Sequence, residues 1–259
     1  MLILILLVFG LAIGSFLGAY TYRYPRDISI GHGRSFCPRC KKTIYWYNNI
    51  PLFSFLFLRG RCSDCGERIS LRYPTIELLT GVLMVLIYSE RLRIIGNLGM
   101  LGSNLGLWTI LLLFVTSCLI AVFVIDFESQ FIPDETSFLM LLFIFGGLVF
   151  TSWELVYVNL LAGLGGSIFL LLIHLVTGGR GMGLGDVKLA IPLGMLLGPY
   201  LTVVWLFSSF IIGGIAGVFL LFFSSVTWRS RVAFGPFLVV AFFITLFWGG
   251  YLKSFILPI

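Results

Sequence analysis

Of the 259 residues, 59% are apolar and only 11% are charged, and the mean hydropathy is +1.07. Soluble domains carry about a quarter charged residues, so a soluble chain of this composition would expose large apolar patches; the natural solvent is a bilayer. The net charge of +6 is concentrated, because 12 of the 17 Lys and Arg lie between Arg23 and Arg93. Such a segment fits a cytoplasmic loop obeying the positive-inside bias better than a nucleic-acid patch, so no nucleic-acid partner is expected.

The first apolar run covers Met1 to about Ala19, with Arg23 and Arg26 after it and no basic residue inside it. A secretory signal carries its charge in front, so this run reads as a retained helix with its N-terminus outside. Residues 20–73 are polar, basic and rich in Cys, Pro and aromatics. A second, short run spans about Pro74 to Tyr88, followed by a connection at 90–104 that holds Arg91 and Arg93. A third helix is expected from about Leu105 to Ile125, ending on Asp126, and 126–135 reads as an acidic loop. Pro133, Asp134 and Thr136 then open a fourth helix, with proline in the first turn and a side chain capping free amides.

A fifth run, about Val156 to Thr177, is interrupted by the glycine-rich stretch 178–186, since glycine is a poor helix former. A short segment to about Leu197 follows, then a long run from Tyr200 to Val226, a loop with Arg229 and Arg231, and a last run from Phe234 to about Leu252. In that order the loops on the expected cytoplasmic side hold thirteen basic residues against three outside. The expected fold is therefore an all-α polytopic membrane protein of about eight transmembrane helices. A small cytoplasmic zinc-binding module sits between helices 1 and 2. Residues 1–19 form the first helix, 20–73 the module, and 74–259 the remaining transmembrane domain.

Cys37-Pro-Arg-Cys40 and Cys62-Ser-Asp-Cys65 are two CxxC turns with 21 residues between them. Four thiolates on two tight turns suit a structural, tetrahedral zinc. Two disulfides or a redox dithiol are the rivals, but both need an oxidising compartment or an electron acceptor, and the charge pattern puts the loop in the cytosol. His32 is a further candidate ligand that four cysteines make unnecessary. Cys118, in the third helix, reads as a packing residue.

Carboxylates next to membrane spans are costly. Asp126 closes one apolar run, and Asp186 opens another after Gly183-Leu184-Gly185. Taken singly, Asp186 is an N-cap and Asp126 an interfacial charge. Together they lie at the cytoplasmic ends of their helices in the expected topology, and Asp186 follows glycines that let an extended peptide approach the backbone. Two carboxylates sharing a site can divide their roles, one keeping a proton as general acid while the other activates water as base. Such a pair hydrolyses a peptide bond without a covalent intermediate. His174 reads as a packed core histidine. The rival readings are a membrane thiol oxidoreductase built on the CxxC turns and a zinc-anchored adaptor without catalysis.

Several blocks carry a resemblance. They are Gly14-Ser15-Phe16-Leu17 with Tyr22-Arg23-Tyr24-Pro25, and the CxxC turns with Arg72-Tyr73-Pro74 and Glu77. Next come Ile125-Asp126 with Pro133-Asp134, Gly181 to Leu189 (GMGLGDVKL), and Phe234-Gly235-Pro236-Phe237. In these the chain resembles the type IV prepilin peptidases, or leader peptidase/N-methyltransferases, which are GxGD aspartyl proteases of the bacterial inner membrane serving pilus and secretion systems. The resemblance implies that 74–259 is the protease domain, that Asp126 and Asp186 are catalytic, and that Gly183 and Gly185 form the substrate loop. It implies prepilin or pseudopilin substrates, cut before the hydrophobic pilin helix, and N-methylation from S-adenosylmethionine, with Glu77 and Gly81 at positions associated with that activity. Gly18 departs from the family, where Asn is common.

Overall fold

The computed structural model describes residues 1–31, 33–100, 104–151, 153–179, 181–223 and 233–256. Eight α-helices form among them: α1 Leu2–Arg23, α2 Phe53–Phe57, α3 Arg72–Asn97, α4 Leu105–Ser129, α5 Asp134–Thr151, α6 Trp153–Val176, α7 Leu184–Phe223 and α8 Gly235–Ile256. The described residues form no extended strand, and two isolated bridges are the only β pairing among them. Among the described residues six helices are long and apolar enough to cross a membrane: Leu2–Arg26, Leu105–Ser129, Asp134–Thr151, Trp153–Val176, Leu184–Leu220 and Gly235–Leu252. A helix suits that solvent because every backbone group is satisfied within the segment. The chain is an all-helical, multi-pass membrane protein, and a count of eight spans would add α3 and divide α7.

The chain forms two compact units, Met1–Ser89 with Leu119–Ala121, and Glu90–Cys118 with Val122–Ile259. In the first, α1 and the start of α3 run antiparallel along a seam of small residues. A methyl group on Gly10 would lie 2.8 Å from the Gly81 Cα, and one on Gly14 would lie 2.6 Å from the Glu77 Cα. One turn further, Gly18 faces the Tyr73 ring, 3.2 Å from such a methyl. Gly10, Gly14 and Gly18 give α1 the small-xxx-small pattern that lets backbones approach in a membrane, and they meet Gly81, Glu77 and Tyr73 of α3. Buried Arg23 ties the end of α1 to the module, donating to the carbonyls of Ser29 (3.2 Å) and Arg34 (2.8 Å).

In the second unit α6 and α7 are equally close. A methyl group on Gly194 would lie 2.8 Å from the Gly163 Cα, and one on Gly163 would strike the Ile191 carbonyl. Trp108 Nε1 donates to Thr151 Oγ1 (3.0 Å), joining α4 to α5, and Trp205 Nε1 donates to the Leu238 carbonyl (2.8 Å), joining α7 to α8. Gly198, with φ 73° and ψ 177°, breaks α7 just before Pro199, where the sequence sets the short segment off from the long run. Several helices run about one turn past the expected end, α1 to Arg23 and α8 to Ile256 among them. Helix α3 continues through Arg91 and Arg93 to Asn97, and Glu90 pairs with Arg93 one turn on at 3.3 Å. Helix α4 extends one turn past Asp126, to a left-handed Gln130 whose N–H returns to the Asp126 carbonyl.

Candidate active site and metal centre

Four pieces of the second unit meet around two carboxylates: the last turn of α4, the 130–134 connection, the loop from α6 into α7, and the start of α8. Asp126 and Asp186 are both buried, each 5% exposed, and lie within electrostatic reach of one another. Asp186 sits in the first turn of α7, and its Oδ2 accepts the Gly183 N–H at 3.1 Å. That is a helix-capping geometry, with a first-turn acid reaching back to the residue before the helix. Its Oδ1 is buried without a hydrogen-bond partner, and so is Asp126 Oδ2. Buried carboxylate oxygens are normally satisfied, and two exceptions facing one site mark it as a place for a ligand or a reacting group.

Glycines shape the walls. The Gly235 backbone lies against Asp126, so that a methyl group there would sit 2.5 Å from Oδ2. The same methyl would sit 3.2 Å from Ile132 Cδ1, and one on Gly185 would sit 3.0 Å from Ile132 Cβ. Buried Ile132 thus fills the gap between the two glycines that flank the aspartates. His174, half-buried near the end of α6, donates from Nδ1 to the Met182 carbonyl at 2.7 Å. The carbonyl can only accept, which fixes the ring tautomer. His174 is therefore a tether for the glycine-rich loop instead of a packed core residue. Thr177 Oγ1 adds a second tie by accepting the Gly181 N–H at 3.2 Å. Arg180 lies outside the described residues. Asp134, first in α5, holds Lys188 of α7 through both carboxylate oxygens, at 2.8 and 2.7 Å.

In the first unit the four cysteines converge. Their Sγ atoms lie within 4.8 Å of one another, and Cys37 Sγ is 3.9 Å from Cys65 Sγ. Tetrahedral zinc with bonds of ~2.3 Å sets its sulfurs about 3.8 Å apart, so the donor set and the spacing fit one zinc ion. All four are free thiols, gathered at one point instead of paired within each turn. The two turns are copies of one another. Cys37 N–H donates to the Lys42 carbonyl (3.0 Å) as Cys62 N–H does to Glu67 (2.8 Å), and Ile44 N–H donates to Ser35 (2.7 Å) as Ile69 N–H does to Gly60 (2.7 Å). Lys41 and Gly66, one residue past each second cysteine, both take positive φ, 60° and 70°. Residues 35–44 thus recur at 60–69, a repeat that the differing side chains conceal in the sequence. His32 lies outside the described residues.

Glu77 and Gly81 stand in the α1–α3 seam. Buried Glu77 accepts the Leu52 N–H at 2.8 Å through Oε2 and the Ser15 hydroxyl. Gly81 faces Leu7 and Leu11, with both side chains 3.1 Å from where its Cβ would be.

Comparison with known proteins bears on this arrangement. The model for the bacterial Peptidase A24 N-terminal domain matches residues 8–90, and that for the type IV leader peptidase family matches residues 113–218. A prepilin leader peptidase/N-methyltransferase of Bacillus subtilis is 32% identical over 251 residues, 97% of this chain and 96% of the relative. The chain belongs to the type IV leader peptidase family. Other members include the prepilin leader peptidase/N-methyltransferases of Aeromonas salmonicida and Neisseria gonorrhoeae. The first is 36% identical over 231 residues (83% of this chain, 72% of the relative), and the second 33% over 265 residues (90% and 86%). No solved structure matches the chain. Asp126, Asp186 and His174 fall in the leader peptidase match, and the cysteines, Glu77 and Gly81 in the N-terminal match. Gly235 falls in neither, and its signal in the sequence was the Phe234-Gly235-Pro236-Phe237 block, which gave no hint of its contact with Asp126.

Proposed function

We propose that this chain is an intramembrane aspartyl endopeptidase that removes the leader from type IV prepilins or pseudopilins, with Asp126 and Asp186 as the catalytic pair. The observation that carries this reading is the pair of buried carboxylates, each with one unpartnered oxygen, Asp186 after accepting the Gly183 N–H and Asp126 against the Gly235 backbone. The scissile carbonyl lies between them. One carboxyl keeps its proton and gives it to the substrate, while the other takes a proton from the attacking water, whose oxygen bonds to the carbonyl carbon as the C–N bond breaks. Gly183 N–H holds Asp186 in place, so its Oδ1 is the atom presented to water or substrate. Gly183 is exposed and leaves the backbone open on the side where an unwound substrate segment lies, while Gly185 packs its bare face against Ile132.

In this reading the N-terminus is outside, and the module and both aspartates lie at the cytoplasmic face of the inner membrane. The charge asymmetry supports that orientation. The seam with α1 supports α3 as a second span, because residues 73–81 run beside residues 10–18 of a membrane-crossing helix. Cys37, Cys40, Cys62 and Cys65 would hold a structural zinc that fixes the two turns to one another. The relatives' names support a second activity, N-methylation of the new N-terminus with S-adenosylmethionine as donor. Glu77 and Gly81 are engaged in helix packing, and no methyl-transfer step is routed through them.

Reconstituted protein incubated with a prepilin and labelled S-adenosylmethionine tests both activities, with mass spectrometry reading leader loss and methyl gain on one product. Asp126→Asn and Asp186→Asn should each abolish cleavage with membrane insertion unchanged. Continued processing by both variants would overturn the assignment.

A further inference from the structure

The zinc module carries an apolar face that its fold leaves uncovered. Trp46 is 75% exposed, Leu56 70% and Phe57 85%, with Tyr45, Tyr47, Ile50 and Phe53 exposed beside them. We propose that the segment Trp46–Phe57 is an interfacial anchor that dips below the headgroups beside α1, with its aromatic side chains at the acyl boundary and the adjoining arginines on anionic phospholipid headgroups.

Depth is the first argument. Leu52 N–H, one residue before α2, donates to Glu77 Oε2 at 2.8 Å, and Glu77 lies directly against Gly14. Gly14 is nine residues inside the end of α1 at Arg23, about 13 Å along the helix axis. The headgroup region of one leaflet is roughly 5–8 Å thick. The chain entering α2 is therefore drawn back alongside a membrane-crossing helix, not held above its end. Leu52 takes a left-sided backbone, φ 58° and ψ −46°, which a leucine adopts only when its surroundings enforce it. Phe53 N–H closes a tight turn across Leu52 on the Pro51 carbonyl at 2.6 Å, and the buried Glu77 carboxylate holds the Leu52 N–H of that turn.

Composition and charge give the rest. Trp and Tyr side chains concentrate where a membrane meets water, with the ring apolar and one edge polar. A short helix presenting Phe53, Leu56 and Phe57 outward is an interfacial helix if lipid covers it and an aggregation hazard if water does. Arg59, Arg61 and Arg68 follow at once and are exposed. Over residues 20–73 ten basic side chains stand against three acidic ones, Asp27, Asp64 and Glu67. That excess favours an anionic lipid surface over a second copy of this same basic module.

The test places p-benzoylphenylalanine at position 57, and separately at 46, in the full-length chain. Each protein is reconstituted in vesicles of phosphatidylcholine and phosphatidylglycerol and then irradiated. Both side chains are exposed, so the fold tolerates the change, and zinc content verifies it. Phospholipid adducts are expected at both positions, enriched in phosphatidylglycerol over its share of the vesicle. The same probe at Phe138, exposed on the membrane-crossing α5, reports that lipid capture works. Capture at 138 with none at 46 and 57, or crosslinks at 46 and 57 to a second copy or to added prepilin in place of lipid, would overturn the proposal. So would adducts at the bulk lipid ratio.

Discussion

Gly235 is fitted to Asp126: a methyl group at position 235 would lie 2.5 Å from the carboxylate Oδ2 and 3.0 Å from Cγ. No L side chain fits without moving either the aspartate or the start of α8. A displacement near 1 Å at a reacting group costs about a hundredfold in rate. Gly235→Ala should therefore lower prepilin cleavage by about that factor, with insertion and zinc content unchanged. Cleavage at the wild-type rate would show that the close approach has no part in positioning Asp126.

Gly235 also shows where reading the sequence ends. The two aspartates were legible because charge is rare in an apolar chain, and the cysteines because their spacing is a ligand pattern. The helices were legible as long apolar runs. Their faces were not, since helices packed on one side and lipid-covered on the other keep apolar residues all round. The contacts of Gly10 and Gly14 with α3, of Gly163 with α7, and of Gly235 with Asp126 join residues distant in sequence. The repeat of 35–44 at 60–69 resides in backbone hydrogen bonds, which the identity of most side chains does not record.

His174 distinguishes a tether from a catalyst. Its Nδ1–H holds the Met182 carbonyl, four residues before Asp186. One hydrogen bond contributes about 1 kcal/mol, so His174→Ala should slow cleavage roughly fivefold through a looser loop. A proton-transferring histidine would cost about a hundredfold to ten-thousandfold. Measured kcat for His174→Ala and His174→Asn separates the two roles. Asn keeps a donor near the Nδ1 position, and partial recovery in that variant is expected only of the tether.

Zinc should be present at one ion per chain and should hold 35–44 against 60–69. Its removal by a chelator, or Cys37→Ser, is expected to expose residues 20–73 to limited proteolysis. Methylation should fall more than cleavage, because Asp126 and Asp186 belong to the other compact unit. Thiols must lose protons to bind metal, so zinc retention should weaken as pH falls. Metal analysis alongside both activities checks this, and equal loss of the two activities would show that the module serves them alike.

The glycines of α6 allow a paired test within one turn. A side chain on Gly163 meets the Ile191 carbonyl and the Met195 amide of α7, whereas one on Gly165 meets nothing within 4 Å. Backbone cannot rotate aside as a side chain can, so Gly163→Ala must push α6 and α7 apart. Overpacking of that kind costs about 1–3 kcal/mol, and the loss should spread along the seam, since Gly194 would lose its contact with Gly163 as well. Gly165→Ala should leave stability unchanged or raise it by up to about 1 kcal/mol, because alanine is the better helix former. Thermal unfolding of both variants in the same lipid or detergent gives the comparison. Helix propensity acts alike at two positions two residues apart, so a large difference between them isolates the α6–α7 contact as its cause. Equal behaviour would mean that the two helices do not approach as closely as the Gly163–Gly194 seam requires.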